Sequence, residues 1–337
     1  MEYTVLSREP DIVSWNQSGL IQIKIPLDNP LRWVNSYLLR DGDEVTLIDP
    51  GPRTPAAEQE WLAAFRVLGL QPADISLILL THHHPDHYGL SGWLQQQSGA
   101  PVRMSERAEL EAQLMWGSGS SMDEDLPSFF ESHGMPAVWL EQLPGHLNIF
   151  IPQVTPAPKV THQHDGEQLD MGGRSWQVIQ TAGHAPGHLS LYHEGSGDLI
   201  CGDAVLPQIS PNVSLLPGSD AAPLRLYLEG LRRLQTLQVR AAYPGHRHPF
   251  THFRERIQAL LEHHEERLNT TAGLLASAGP MTAFEVCTAL FGGKLGIHQL
   301  RFAMCEALAH LAELAAVSRA ELRETEQDKY VFAAPGS

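Results

Sequence analysis

His82-x-His84-x-Asp86-His87 concentrates imidazoles and a carboxylate in one short run. On an extended segment alternate side chains share a face, so His82 and His84 project together and His83 points elsewhere. Pro85 turns the chain, which lets Asp86 and His87 face a second point close to the first. Two imidazoles, then a carboxylate with an imidazole, form a donor set suited to zinc, iron or manganese. The competing reading is a polar, His-rich turn on the surface.

Three more candidates share a local context. Gly183-His184, Gly202-Asp203 and Gly245-His246 each follow a strand-like run, and each pairs a donor with a glycine that permits close backbone approach. Asp49, before Pro50-Gly51, ends another such run. Taken singly, each is a turn or capping residue. Together they describe strand ends gathered along one edge of a sheet, with loops holding functional groups over a rigid base.

The elements behind these residues are legible as patterns. Ile21–Ile25, Val34–Leu39 and Val45–Ile48 predict strands, and Pro55–Leu68 a helix stopped by Gly69. Ile75–Leu80 is a continuous β-rich run of six, as for a buried strand. Pro101–Met104, Trp176–Thr181, Leu189–His193, Leu199–Cys201 and Val239–Tyr243 predict further strands, with helices over Glu106–Trp116 and Leu224–Leu237. From Phe250 the pattern is helical and closes in a hairpin of Glu321–Arg323 and Tyr330–Phe332. Residues 1–250 are expected to form the catalytic domain and 251–337 a helical extension.

In order and spacing, Asp49, the His82–His87 run, His184, Asp203 and His246 resemble the motifs of the metallo-β-lactamase superfamily, in particular the branch of glyoxalase II and the β-lactamase-like-2 hydrolases. The resemblance implies an α/β fold, an αββα sandwich with a binuclear metal site. Carried over by position, it implies that His82, His84 and His184 hold one ion. Asp86, His87 and His246 then hold the other, Asp203 bridges, and Asp49 orients ligands from behind. The two divalent ions are expected to be zinc, with iron or manganese as alternatives. They lower the pKa of a shared water to about 7, and the hydroxide attacks an ester-like bond. Asp86 is the candidate acceptor of the proton released afterwards. The C-terminal helices and hairpin resemble the winged-helix-like extension of β-lactamase-like-2 proteins.

Composition narrows the substrate. Twenty-three Lys and Arg against 39 Asp and Glu leave a net charge of −16, which disfavours nucleic acid and anionic membranes. Acidic residues also outnumber basic ones over 251–337, so packing or homodimer formation, not DNA binding, is expected of the extension. A small molecule carrying a thioester, lactone or other carboxylic ester is the expected substrate. A phosphodiesterase or ribonuclease, a mononuclear iron enzyme like the persulfide dioxygenases, and a metal-holding protein without turnover are the alternatives. Three scattered cysteines and an N-terminal stretch without an apolar leader predict a cytoplasmic protein.

Residues 117–158 form a long connection of the kind that often serves as a lid. Trp116, Phe129, Phe130, Met135 and Trp139 are expected either to line an apolar mouth over the metals or to staple this insertion to the sandwich. His188 is read as a supporting residue or a strand start, Cys201 as core, and His263 with His264 as a solvated helix face.

Overall fold

The computed structural model describes residues 9–336. The first eight residues, part of the stretch read as lacking a leader, lie outside that range. Two sheets face each other. The first takes β1 (Ile12–Trp15), β2 (Leu20–Pro26), β3 (Trp33–Asp41), β4 (Glu44–Ile48), β5 (Ile75–Leu79), β6 (Val102–Met104) and β7 (Val160–His162) in chain order, antiparallel up to β4 and parallel beyond it. The second takes β8 (Gln168–Met171), β9 (Arg174–Thr181), β10 (His188–His193), β11 (Asp198–Gly202) and β12 (Ala241–Pro244), antiparallel except for the β11–β12 pair.

Side-chain alternation assigns each strand two faces. In β5, Leu77 and Leu79 enter the space between the sheets, where they join Ile48, Trp176, Leu191 and Ile200. Ile78 faces outward with Val45, Leu47 and Val102, under α1 (Pro55–Leu68). This two-sided burial is why β5 reads as apolar at every position but the exposed Ser76. Thr54 caps α1 by accepting from the Ala57 amide, and Gly69 ends it in the left-handed region at φ 64°.

The helices α2 (Pro85–Tyr88), α3 (Ser91–Ser98) and α4 (Glu106–Trp116) follow the first sheet's parallel strands. The connection at 117–158 folds into α5 (Met122–Ser132), α6 (Ala137–Leu140), α7 (Leu143–Asn148) and a short 3₁₀ turn. Beneath the second sheet run α8 (Pro223–Gln235) and α9 (Phe253–Ala278), followed by α10 (Ala283–Phe291) and α11 (Ile297–Ala316). The hairpin of β13 (Glu321–Glu324) and β14 (Tyr330–Ala333) pairs antiparallel, and Phe332 bridges to Met281. The architecture is the expected αββα sandwich followed by a small helical, winged-helix-like region. No described helix is long and apolar enough to cross a membrane.

One apolar cluster runs from the outer face of the second sheet (Ile179, Leu199, Ala242) through α8 and α9 into α11. Phe130 and Met135 belong to it, fully buried. The expectation that these two line a substrate mouth is therefore corrected: they staple the connection to the C-terminal helices. His264 is corrected as well. It is buried, and its Nδ1 lies 3.2 Å from His310 Nε2. A histidine inside a run of glutamates looks solvated in one dimension, but its position in α9 turns it toward α8 and α11.

Candidate metal centre

Five strand ends deliver the candidate residues to one edge of the sandwich. Asp49 follows β4, the His82–His87 run follows β5, His184 follows β9, Asp203 follows β11, and His246 follows β12. Strand β5 stops at Leu79, so His82 and His84 lie in an irregular segment beyond the expected extended one. They still face one another, with His82 Nε2 3.0 Å from His84 Nδ1. Pro85 then opens α2, whose single turn carries Asp86 and His87.

The donor atoms fall into groups within 4.8 Å: His82 with His84 and His184, and Asp86 with His87 and His246. Asp203 lies between them, at 3.5 Å from His87 Nε2, 3.7 Å from His184 Nε2 and 3.3 Å from His246 Nε2. His246 Nε2 is also 3.3 Å from Asp86 Oδ2. A third grouping of Asp49 with His82 and His87 has a different character. Both Asp49 oxygens are already engaged, Oδ1 by the Thr81 amide at 2.8 Å and Oδ2 by the Thr81 hydroxyl and His87 Nδ1. Asp49 supports the site from behind. Its φ of 52°, a region that aspartate tolerates better than most residues, turns the carboxylate inward.

Outward hydrogen bonds set the tautomers. Thr81 Oγ1 spends its proton on Asp49, so it accepts from His82 Nδ1 at 2.9 Å. His87 Nδ1 donates to Asp49, His184 Nδ1 to the Asn212 carbonyl at 2.8 Å, and His246 Nδ1 to the Trp33 carbonyl at 3.0 Å. Each inner Nε2 is left as a lone pair aimed at its neighbours and at two carboxylates. His87 Nε2, His184 Nε2 and Asp203 Oδ1 are sealed from solvent without a hydrogen-bond partner. A buried cage of acceptors is costly unless a cation occupies it, so the residues present fit divalent metal.

The electrostatics agree. Burial, reinforced by neighbouring imidazoles, holds His82 and His84 well below the usual histidine range, in the neutral form that binds metal. Burial also lowers His87 and His246, but the carboxylates outweigh it. Asp203 and Asp49 raise His87, and Asp203 with Asp86 raises His246 to about 10. Without metal, protons take the place of the cation. Burial would raise Asp86, yet His246 and His87 hold it low, as an ionised carboxylate.

The packing explains the glycines. A Cβ on Gly245 would fall on Asp203 Oδ1 and His87 Cε1, and one on Gly202 would meet His188 Nε2. That nitrogen accepts from the Asp203 amide at 3.1 Å, so His188 both opens β10 and anchors Asp203. His83 joins none of these donor groups and is buried. Cys201 is core, donating to the Val205 carbonyl. Of the aromatic candidates, Trp116 touches the motif: its Nε1 donates to the His83 carbonyl at 3.2 Å. Phe129 instead packs on His133, and Trp139 against the apolar cluster.

Several supporting residues carry no signal in the sequence. Thr81 could be suspected from its place beside the histidine run. Asn212 lies in a loop without periodicity, and Trp33 acts through its carbonyl, which no sequence pattern marks. Asn35 and Tyr37 hold the His246 turn by donating to the Pro244 carbonyl at 2.9 and 2.8 Å.

Residues 31–246 match the metallo-beta-lactamase superfamily domain, and residues 270–335 match the metallo-beta-lactamase-like C-terminal domain. The chain belongs to the metallo-beta-lactamase superfamily. It is 32% identical to the "Probable metallo-hydrolase YqjP" of Bacillus subtilis, over 88% of this chain and 92% of that one. A crystal structure of a metallo-beta-lactamase family protein from Thermus thermophilus superposes with a TM-score of 0.83 at 35% identity, covering 94% and 99% of the two chains. A hydroxyacylglutathione hydrolase of Idiomarina loihiensis is 29% identical over 49% of this chain and 43% of its own.

Proposed function

We propose that this metallo-beta-lactamase superfamily hydrolase holds two divalent cations, zinc in the first instance, and cleaves a thioester, lactone or other carboxylic ester of a small molecule. The convergence of lone pairs from His82, His84, His184, His87 and His246 on the Asp203 carboxylate carries the reading. In it, the first three histidines take one ion, Asp86, His87 and His246 take the other, and Asp203 bridges. When bound, the cations supply Lewis acidity and a water acidified to about pKa 7.

The remaining work belongs to the chain. Asp49, Asn212 and the Trp33 carbonyl hold the imidazoles by their Nδ1 protons, which orients the inner nitrogens before any ligand arrives. Asp86 keeps 24% of its side chain exposed against 7% for Asp203, so it is the carboxylate a substrate can reach. It is ionised and positioned to accept a proton after attack. The hydroxyacylglutathione hydrolase among the relatives supports the ester-like class. In this reading residues 1–250 carry the chemistry, 251–337 wall the site, and the three buried, unpaired cysteines suit the cytoplasm.

Metal analysis combined with a substrate panel tests this. About two ions per chain and chelator-sensitive turnover of an aryl ester, acyl thioester or lactone are expected. Turnover confined to a bis-phosphodiester or RNA, or full metal with no turnover, would overturn it.

A further inference from the structure

Residues 203–222, between β11 and α8, contain no helix or strand, yet they carry two parts of the metal site. One is Asp203, and the other is the Asn212 carbonyl that accepts from His184 Nδ1 at 2.8 Å. A main-chain oxygen in an irregular loop keeps its place only where other groups fix that loop. Here the fixing groups come from the C-terminal helices. On α9, Arg256 donates to the Leu206 and Ile209 carbonyls at 2.6 and 2.9 Å. On α11, the Cys305 carbonyl accepts from the Leu215 amide at 3.2 Å. The Asn212 side chain donates to the Phe302 carbonyl at 3.3 Å and to Glu306 Oε2 at 3.0 Å, while its Oδ1 accepts from Ser214 at 2.6 Å.

Glu306 is held in turn. Its side chain is 12% exposed and faces Arg267 of α9 at 3.8 Å, and Arg267 is seated on the Phe291 ring of α10 at 4.6 Å. A continuous series of contacts therefore runs from the His184 ring through Asn212 and Glu306 into the C-terminal helices. The other braced imidazoles lean on the first sheet. Thr81, beyond β5, holds His82; Asp49, beyond β4, holds His87; and the Trp33 carbonyl of β3 holds His246. His184 is the one of these four whose brace is pinned to the extension.

We propose that Glu306 is a positioning residue of the metal centre: through Asn212 it fixes the His184 ring in the orientation that binds the ion shared with His82 and His84. Residues 251–337 are then a working part of one metal site and not only a wall beside it. The inference rests on the two-ion reading above and is independent of which ester is cleaved. It carries an asymmetry, because the ion of Asp86, His87 and His246 has no such brace from the extension.

The test uses the full chain, native and as Glu306→Ala or Glu306→Gln, loaded with zinc and titrated against a chelator. E306A is expected to lose about 10- to 100-fold in affinity for one ion and nothing for the other. Glutamine keeps an oxygen for the Asn212 amide, so E306Q should recover most of the loss. Cadmium-113 NMR of the loaded chain reads the two sites separately. The signal of the nitrogen-rich, three-histidine site should broaden or vanish in E306A while its neighbour persists. A purely structural role would lower Tm and weaken both ions together, or neither. If E306A misfolds, Asn212→Ala takes its place, since it keeps the carbonyl that His184 uses and removes only the anchors. Unchanged affinity for both ions in the variants, or equal weakening of both, would overturn the proposal. Two bound ions without turnover would count against the hydrolase reading alone. A native chain that takes up no ion would sink the two-ion reading. Exchange of the His184 Nδ1 proton, expected to be slower in the native chain than in E306A, would then still decide whether Glu306 holds that ring, and equal exchange would show that it does not.

Discussion

His87 Nδ1 and the Thr81 hydroxyl both donate to Asp49 Oδ2, at 2.9 and 2.6 Å, so one buried oxygen orients donors in both halves of the site. Thr81 passes the constraint to His82 through its own oxygen. Asp49→Asn replaces one carboxylate oxygen with a donor and cannot accept all three bonds. Losses at such supporting positions run about 10- to 100-fold in metal affinity or activity. The expected result is weaker metal retention during dialysis against a graded chelator, with a parallel loss in kcat/KM. Metal retention equal to the native chain would show that Asp49 is dispensable.

The Gly245 backbone leaves no room for a side chain against Asp203 and His87. Gly245→Ala must displace the Asp203 carboxylate and the neighbouring His87 imidazole, both part of the cage. Overpacking of this kind costs about 1–3 kcal/mol. Thermal melting should show the loss, and metal stoichiometry should drop with it, because the displaced groups are candidate ligands. Gly99→Ala is a contrasting control: no heavy atom lies near its Cβ, so any loss there comes from its φ of 74° and leaves metal content intact.

The metal-free protein should have a stability maximum near neutral pH, for two opposed reasons. His82, His83, His84 and His188 have folded pKa values below the unfolded 6.5, with burial the leading cause and His83 and His188 brought to about 3. The unfolded chain then binds protons that the folded chain refuses, so stability falls as pH drops below about 6.5. His87 and His246 are raised, His246 to about 10, so their contribution is complete below about 6.5 and is lost as pH climbs toward 10. Melting curves of chelator-treated protein from pH 5 to 10 should therefore peak in between. Added zinc should remove the alkaline decline, since the cation takes over from the protons. A monotonic rise to pH 10 without metal would contradict this.

The donor set is legible in the sequence because its residues are polar types placed at the ends of apolar runs. Ile75–Leu80 and Leu199–Cys201 announce buried strands, and His82 and Asp203 stand where those strands must stop. The supports are hidden for a physical reason. Asn212, Trp33 and the His188 ring act across long sequence separations, through a carbonyl or a single nitrogen, and periodicity carries no trace of that. Strands β1, β7 and β8 escape the pattern because they are short edge or near-edge strands with mixed burial. His264 reads wrongly in one dimension because local charge masks its helical phase.

The connection at 117–158 and the last residue of α4 before it divide the work between residues that hold the connection and one that touches the site, Trp116, and two substitutions separate these roles. Phe130 is fully buried in the cluster shared with the C-terminal helices, so Phe130→Ala leaves a cavity there and should cost about 3–5 kcal/mol. KM for an ester substrate should change little in the fraction that remains folded. Trp116→Phe keeps the ring's packing against Phe150 but removes the bond from Nε1 to the His83 carbonyl. That bond is worth about 1 kcal/mol to stability, yet it pins the backbone between His82 and His84. W116F should melt within a few degrees of the native protein while losing activity several-fold, because a shift of about 1 Å in that segment misplaces both imidazoles. Measured side by side, the two variants should trade places, one failing in Tm and the other in kcat/KM. A large KM increase in F130A with unchanged Tm would return Phe130 to the substrate mouth.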